Sequence, residues 1–106
     1  MRLDHRIAGL LGFALKGGKL LMGTSAVERS IRLKRAKLVL AAGDMNPKRV
    51  EILRLWCLDM GIPFLVAGTK EEYGALLRKP PLGLLALTDG HMASGIVETA
   101  KADGGV

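Results

Sequence analysis

The side chains that could do chemistry are few, and most combinations of them fail on spacing. The only candidates for soft metal ligation are His5, Cys57 and His91, and no two stand at a paired ligand spacing. Cys57 falls on the apolar face of a predicted helix, where a thiol packs as a small hydrophobe. His91 opens a predicted helix beside Asp89 and reads as a surface residue. The run Phe13 to Leu20 has the outline of a phosphate loop, but Phe13 stands where glycine is required and Leu20 where Ser or Thr is required. It also follows a helix, whereas a phosphate loop follows a strand. Asp44 sits after a buried strand, a common place for functional groups in α/β folds, although aspartate is also an ordinary turn former. No nucleophile, base and acid come together as a set. The expectation is a protein with no catalytic residues, no metal, no cofactor and no small-molecule substrate.

Cationic side chains carry the stronger signal. The 106 residues hold 16 Lys and Arg against 10 Asp and Glu, a net charge of +6. The excess is confined to one half: residues 1–53 carry 11 basic and 4 acidic groups, residues 54–106 carry 5 and 6. Clustered Lys and Arg release condensed counterions when they meet phosphates, so a polyanion is the expected partner. The candidate contacts are Lys16, Lys19, Arg29 and Arg32, with Lys34, Arg35 and Lys37 following in the next turn, and Lys79 further on. A solvated basic face is the alternative reading of the cluster from Arg29 to Lys37. That polyanion would be RNA or DNA, and with only four aromatic side chains a single-strand mode built on base stacking is disfavoured.

The elements that must position these groups alternate helix and strand. Asp4 caps a first helix with Ile7, Leu10, Leu11 and Ala14 on one face, ended by Gly17-Gly18. Leu20 to Met22 is a short strand. Ser25 and Glu28 suggest a capping box opening a second helix that runs to about Leu33, with Val27 and Ile31 inward. Leu38 to Ala42 is an unbroken apolar run, as in a strand buried on both faces. Asn46 and Pro47 open a third helix, with Val50, Leu53, Cys57 and Met60 inward, closed by Gly61. Pro63 to Ala67 is a strand. Thr69 and Glu72 open a short helix ending near Leu77, and Arg78-Lys79-Pro80-Pro81 is a stiff basic loop. Leu84 to Leu87 is the fourth strand, and Asp89 caps a last helix with Ile96, Val97 and Ala100 on one side. This order predicts an α/β fold, a three-layer α/β/α sandwich around a mixed four-stranded sheet, in one domain over residues 1–102 with a frayed tail at 103–106. No segment reads as a signal peptide or membrane span, and the lone cysteine favours a reducing compartment, so a cytoplasmic protein with no membrane partner is expected. A monomer is the expected state.

Motif order adds a resemblance. Leu10-Leu11-Gly12-Phe13-Ala14, Lys19-Leu20 to Gly23, and Ala36 to Ala41 with Asp44 come first. Pro47, Cys57, Ile62-Pro63-Phe64, Lys70 to Gly74 and Arg78-Lys79-Pro80 follow. In this order the chain resembles the kink-turn RNA-binding ribosomal protein superfamily, of the L-seven-Ae and L-thirty-e type, and in style the small bacterial YlxQ-like proteins. The resemblance covers about residues 5–98. It implies the layered fold above, residence in a ribonucleoprotein, and recognition of kink-turns, sharply bent duplexes with tandem sheared G·A pairs. In the family the start of the second helix enters the widened groove, and the loop after the fourth helix covers the extruded nucleotide. Carried over, these surfaces are Gly23, Thr24 and Ser25 through Arg29, and Lys79, Pro80, Pro81 and Leu82. Ser25-Ala26 stands where archaeal and eukaryotic members carry Asn-Glu, while Arg29 keeps the basic position. Ala26 offers no polar side chain, which should weaken reading of the G·A pairs by about 1–3 kcal/mol. An interaction module of the same fold without RNA affinity is the alternative function, and a small enzyme using Asp44 in a deep pocket is a third.

Overall fold

The computed structural model describes residues 3–102; the tail expected at 103–106 lies outside the described residues. The elements follow in chain order: α1 (His5–Lys16), β1 (Leu20–Met22), α2 (Thr24–Arg32), β2 (Leu38–Ala41), α3 (Pro47–Met60), β3 (Phe64–Val66), α4 (Lys70–Leu77), β4 (Leu84–Leu87) and α5 (Gly90–Ala102). The strands lie in the order β1-β4-β2-β3. β4 is antiparallel to both β1 and β2, and β3 is parallel to β2, so the sheet is mixed.

Strand periodicity of two sorts the core into two layers. Leu38 and Leu40 of β2, with Leu85 and Leu87 of β4, face Ile7 and Leu11 of α1, Tyr73 and Leu77 of α4 and Ile96 of α5. Val39 and Ala41, with Leu84 and Ala86, face Val27 and Ile31 of α2 and Leu53 and Cys57 of α3. The two central strands are thus covered on both sides, which is why their sequences are unbroken apolar runs. Val50 and Met60, expected on the inner face of α3, are half-buried, and Leu53 and Cys57 carry that face.

Most helix ends are fixed where their capping residues stand. Asp4 Oδ1 accepts from the Ile7 N–H at 2.9 Å, Asn46 Oδ1 from the Lys48 N–H at 2.9 Å, Thr69 Oγ1 from the Glu72 N–H at 3.1 Å and Asp89 Oδ1 from the Met92 N–H at 2.9 Å. Each satisfies a helix N–H that would otherwise lack a partner. Gly61 closes α3 in the left-handed conformation, φ 71°. The capping box expected at Ser25 and Glu28 does not form. Gly23 is the N-cap of α2, with no side-chain cap, and Glu28 instead pairs with Arg49 of α3. The ion pair joins two neighbouring helices, a contact that a local sequence pattern cannot anticipate.

Candidate nucleic-acid interface

One end of the sheet gathers the start of α2 and the loop after α4. Gly23 leaves β1 with φ 92° and ψ 161°, a conformation open to glycine and strained for other residues. Its N–H donates to the Leu84 carbonyl at 2.9 Å, and its own carbonyl accepts from the Val27 N–H at 3.1 Å. These bonds anchor the first turn of α2 to the first residue of β4. No side chain occupies the opening N–H groups, and Thr24 and Ser25 are exposed. The first turn therefore presents unpaired donors and the positive end of the helix dipole to solvent.

The second part is the loop from Arg78 to Gly83. Arg78 ends α4 in the left-handed conformation, φ 57°. The Lys79 N–H then donates to the Gly74 carbonyl at 2.9 Å, and the Leu82 N–H to the Lys70 carbonyl at 3.0 Å. The loop lies so close on α4 that a Cβ at Gly74 would sit 2.8 Å from the carbonyl oxygens of both Lys79 and Pro80. Lys79, Pro80 and Pro81 are exposed and Leu82 is half-buried. Two consecutive prolines remove donors and fix φ, so this surface is stiff and apolar with a cation at its edge. Gly83 accepts from the Ala42 N–H at 2.8 Å, and its neighbour Leu84 is the residue that accepts from Gly23. The loop and the start of α2 are therefore contiguous.

The other expected contacts divide. Arg29 and Arg32 lie on the exposed face of α2, Arg29 five residues from its start, about 7.5 Å along the axis. Lys16 and Lys19 do not join them. Lys16 lines a cleft with Gly12, Leu15, Leu76, Leu77 and Arg78, in the layer on the other side of the sheet from α2. Lys19 precedes β1, and its carbonyl accepts from the Thr88 N–H at 3.0 Å at the far end of β4. Four residue steps along β1 separate it from Gly23, about 13 Å. Lys70, which the sequence reading did not single out, lies beside the loop: a Cβ at Gly83 would stand 3.6 Å from its Cγ. Its signal was only its place in the first turn of α4.

The remaining candidates are structural. Asp44 is exposed and accepts from the Lys70 N–H at 3.0 Å, joining the turn after β2 to the start of α4. Cys57 is buried, and desolvation pushes its thiol up to about 11. Burial likewise raises the Tyr73 phenol well above its usual value, and its hydroxyl donates to the Ala67 carbonyl at 2.7 Å. Among the described residues no group of three or more His, Cys, Asp or Glu could hold a metal, and no helix is long and apolar enough to cross a membrane.

A layered α/β/α domain with an open helix start beside a stiff loop defines a class, and comparison with known proteins identifies it. The profile of the ribosomal protein L7Ae/L30e/S12e/Gadd45 family matches residues 5–97, and the chain belongs to this family. The large ribosomal subunit protein eL8A of Candida albicans is 34% identical over 87 residues, covering 76% of this chain and 34% of that protein. The eL8 protein of the archaeon Thermoplasma volcanium is 31% identical over 74 residues, covering 69% of this chain and 61% of its own. The chain thus spans a quarter to a third of the length of the eukaryotic eL8 relatives it matches, from 25% of the Drosophila melanogaster protein to the 34% above. In fold it is similar to a Bacillus halodurans protein of unknown function, TM-score 0.86 at 20% identity, covering 92% of this chain and 99% of that one. It is also similar to a Giardia lamblia 15.5kD RNA binding protein, TM-score 0.78 at 22% identity, covering 92% and 87%.

Proposed function

We propose that the chain is a non-catalytic, ribosome-associated RNA-binding protein that recognises kink-turn-like RNA with the start of α2 and the loop from Lys79 to Leu82. One observation carries the reading: the uncapped first turn of α2 is hydrogen-bonded through Gly23 to Leu84, the strand residue that the proline loop delivers. Open N–H groups offer donors to a sheared pair or a phosphate. The Pro80-Pro81-Leu82 surface offers an apolar cover for an unstacked base. Arg29, Lys79 and Lys70 supply cations around this edge. Membership of the family and its eL8 relatives support the ribosomal setting. The YlxQ-like branch and a cytoplasmic, monomeric state belong to the same proposal.

The test is a titration of a kink-turn RNA, and of a control with its G·A pairs replaced by Watson–Crick pairs, at several salt concentrations. The expected outcome is tighter binding of the kinked RNA, with affinity falling steeply as salt rises. Replacing Arg29→Ala together with Lys79→Ala should flatten the log–log salt slope by about 2. Flat salt dependence, or equal binding of both RNAs, overturns the reading. Ala26, in place of a polar residue, favours a second reading, a protein-interaction module of the same fold. Partners that survive ribonuclease treatment in a pull-down would support it.

A further inference from the structure

Beyond the first interface, and continuous with it through Arg29, three further cations collect at the other end of α2. Two shallow clefts run into one another there. One is lined by Leu21, Ala26, Arg29, Ser30, Leu33 and Arg35. The other is lined by Leu21, Lys34, Arg35, Lys37 and Thr88. They share Leu21 and Arg35, so they form one trough along the edge of β1, beginning beside the start of α2 and ending at its exit turn. Four cations line it and, among the described residues, no carboxylate does.

The turn that carries them is held firmly. The Ser30 carbonyl accepts from the Arg35 N–H at 2.8 Å and the Ala36 N–H at 3.2 Å, and the Lys37 N–H donates to the Leu87 carbonyl at 2.7 Å. Ser30 itself is buried, its hydroxyl donating to the Val27 carbonyl at 2.7 Å. On this fixed backbone Lys34, Arg35 and Lys37 are exposed. No ion pair among the described residues engages any of the four cations, whereas Arg49 and Arg54 of α3 both pair with glutamates. Lys34 also holds φ 55°, where glycine would be unstrained.

We infer that this trough is a second RNA contact, which grips the phosphate backbone of a duplex stem flanking the kink; the inference rests on the proposal that the start of α2 docks on RNA. The nine residues of α2 set the exit turn about 13 Å from the first contact, a span that reaches several base pairs into a flanking stem. A stem entering at Gly23 would run past Arg29 toward Lys34, Arg35 and Lys37. The contact reads no sequence, and its effect should appear as affinity that grows with stem length.

The experiment compares two kink-turn RNAs that differ only in stem length, about three against about ten base pairs on the flanking side, titrated by fluorescence anisotropy with the full chain at several salt concentrations. The longer RNA should bind more tightly, with a salt slope steeper by about 2–3. The triple variant Lys34→Ala, Arg35→Ala and Lys37→Ala should lose that increment and keep its affinity for the short RNA within about twofold. Lys34→Arg with Lys37→Arg, which keeps the charge, should retain the increment. Circular dichroism and melting confirm that the variants fold. Equal binding of short and long RNA by the unaltered chain overturns the second contact while leaving the first standing. Equal weakening on both RNAs in the triple variant assigns these cations to the first site and overturns it too, as does loss of ribonuclease-resistant protein partners with RNA binding unchanged. No binding to either RNA overturns the underlying proposal together with this one.

Discussion

Lys34 and Asp89 show what single residues decide. Lys34 follows the end of α2 with φ 55°, where an L side chain is strained and glycine is not. Lys34→Gly should therefore raise stability by about 1 kcal/mol, read as a higher urea midpoint, whereas Lys34→Ala keeps the strain and should not. Asp89 titrates below the usual carboxylate range, chiefly because it accepts from the Met92 N–H, with further help from the His91 N–H and the charges of His91 and Lys19. A carboxylate depressed in the folded state adds stability that is complete above its unfolded value, about 4. That stability disappears as pH falls through the lower folded value. Urea titrations from about pH 6 down to about pH 2 should show a shallower acid loss in Asp89→Asn than in the unaltered chain. An identical acid limb would show that the cap is not charge-assisted.

At the scale of elements, the position of the proline loop depends on a helix that tolerates its backbone. Gly74 lies in the middle of α4, where alanine would ordinarily favour the helix. Here a Cβ would sit 2.8 Å from two loop carbonyl oxygens, so Gly74→Ala must displace the loop. The expected loss is about 1–3 kcal/mol on denaturation, with weaker RNA binding in the same variant. If stability rose instead, helix propensity would outweigh the contact and the loop would not be held as described. The same scale explains which helix starts were legible. Asp4, Asn46, Thr69 and Asp89 each bond an N–H two or three residues ahead, a relation written in local sequence. Ser25 and Glu28 had the same spacing, but Gly23 already begins the helix and Glu28 meets Arg49 on α3.

For the molecule as a whole, the sheet order joins the two halves of the charge distribution. The basic first half supplies α2 and its exit turn. The nearly neutral second half supplies the loop and β4, which antiparallel pairing sets between β1 and β2. The layer formed by α2 and α3 buries Cys57 completely, and desolvation holds its thiol near 11. Little thiolate exists at neutral pH and access requires opening of the core. Alkylation by iodoacetamide at pH 8 should therefore be slow in the native protein and accelerate with sub-denaturing urea. Rapid labelling without urea would show that α3 detaches from the sheet on its own.

The sequence by itself determined the elements, most of their caps, the two strands covered on both faces, the layered fold and the family resemblance. Apart from the resemblance, which rests on motif order along the chain, these come from short-range relations: a cap to a nearby N–H, an alternation of two, a helical face of three and four. Tertiary structure alone decided which cations stand together. Gly23 meets Leu84 and Lys19 meets Thr88 at opposite ends of one antiparallel pair, so residues four apart in sequence are parted by the length of a strand. Lys16 falls into the opposite layer for a related reason, because α1 packs on the other face of the sheet. Grouping of this kind depends on pairings across some sixty residues, and no local pattern of residue types encodes them.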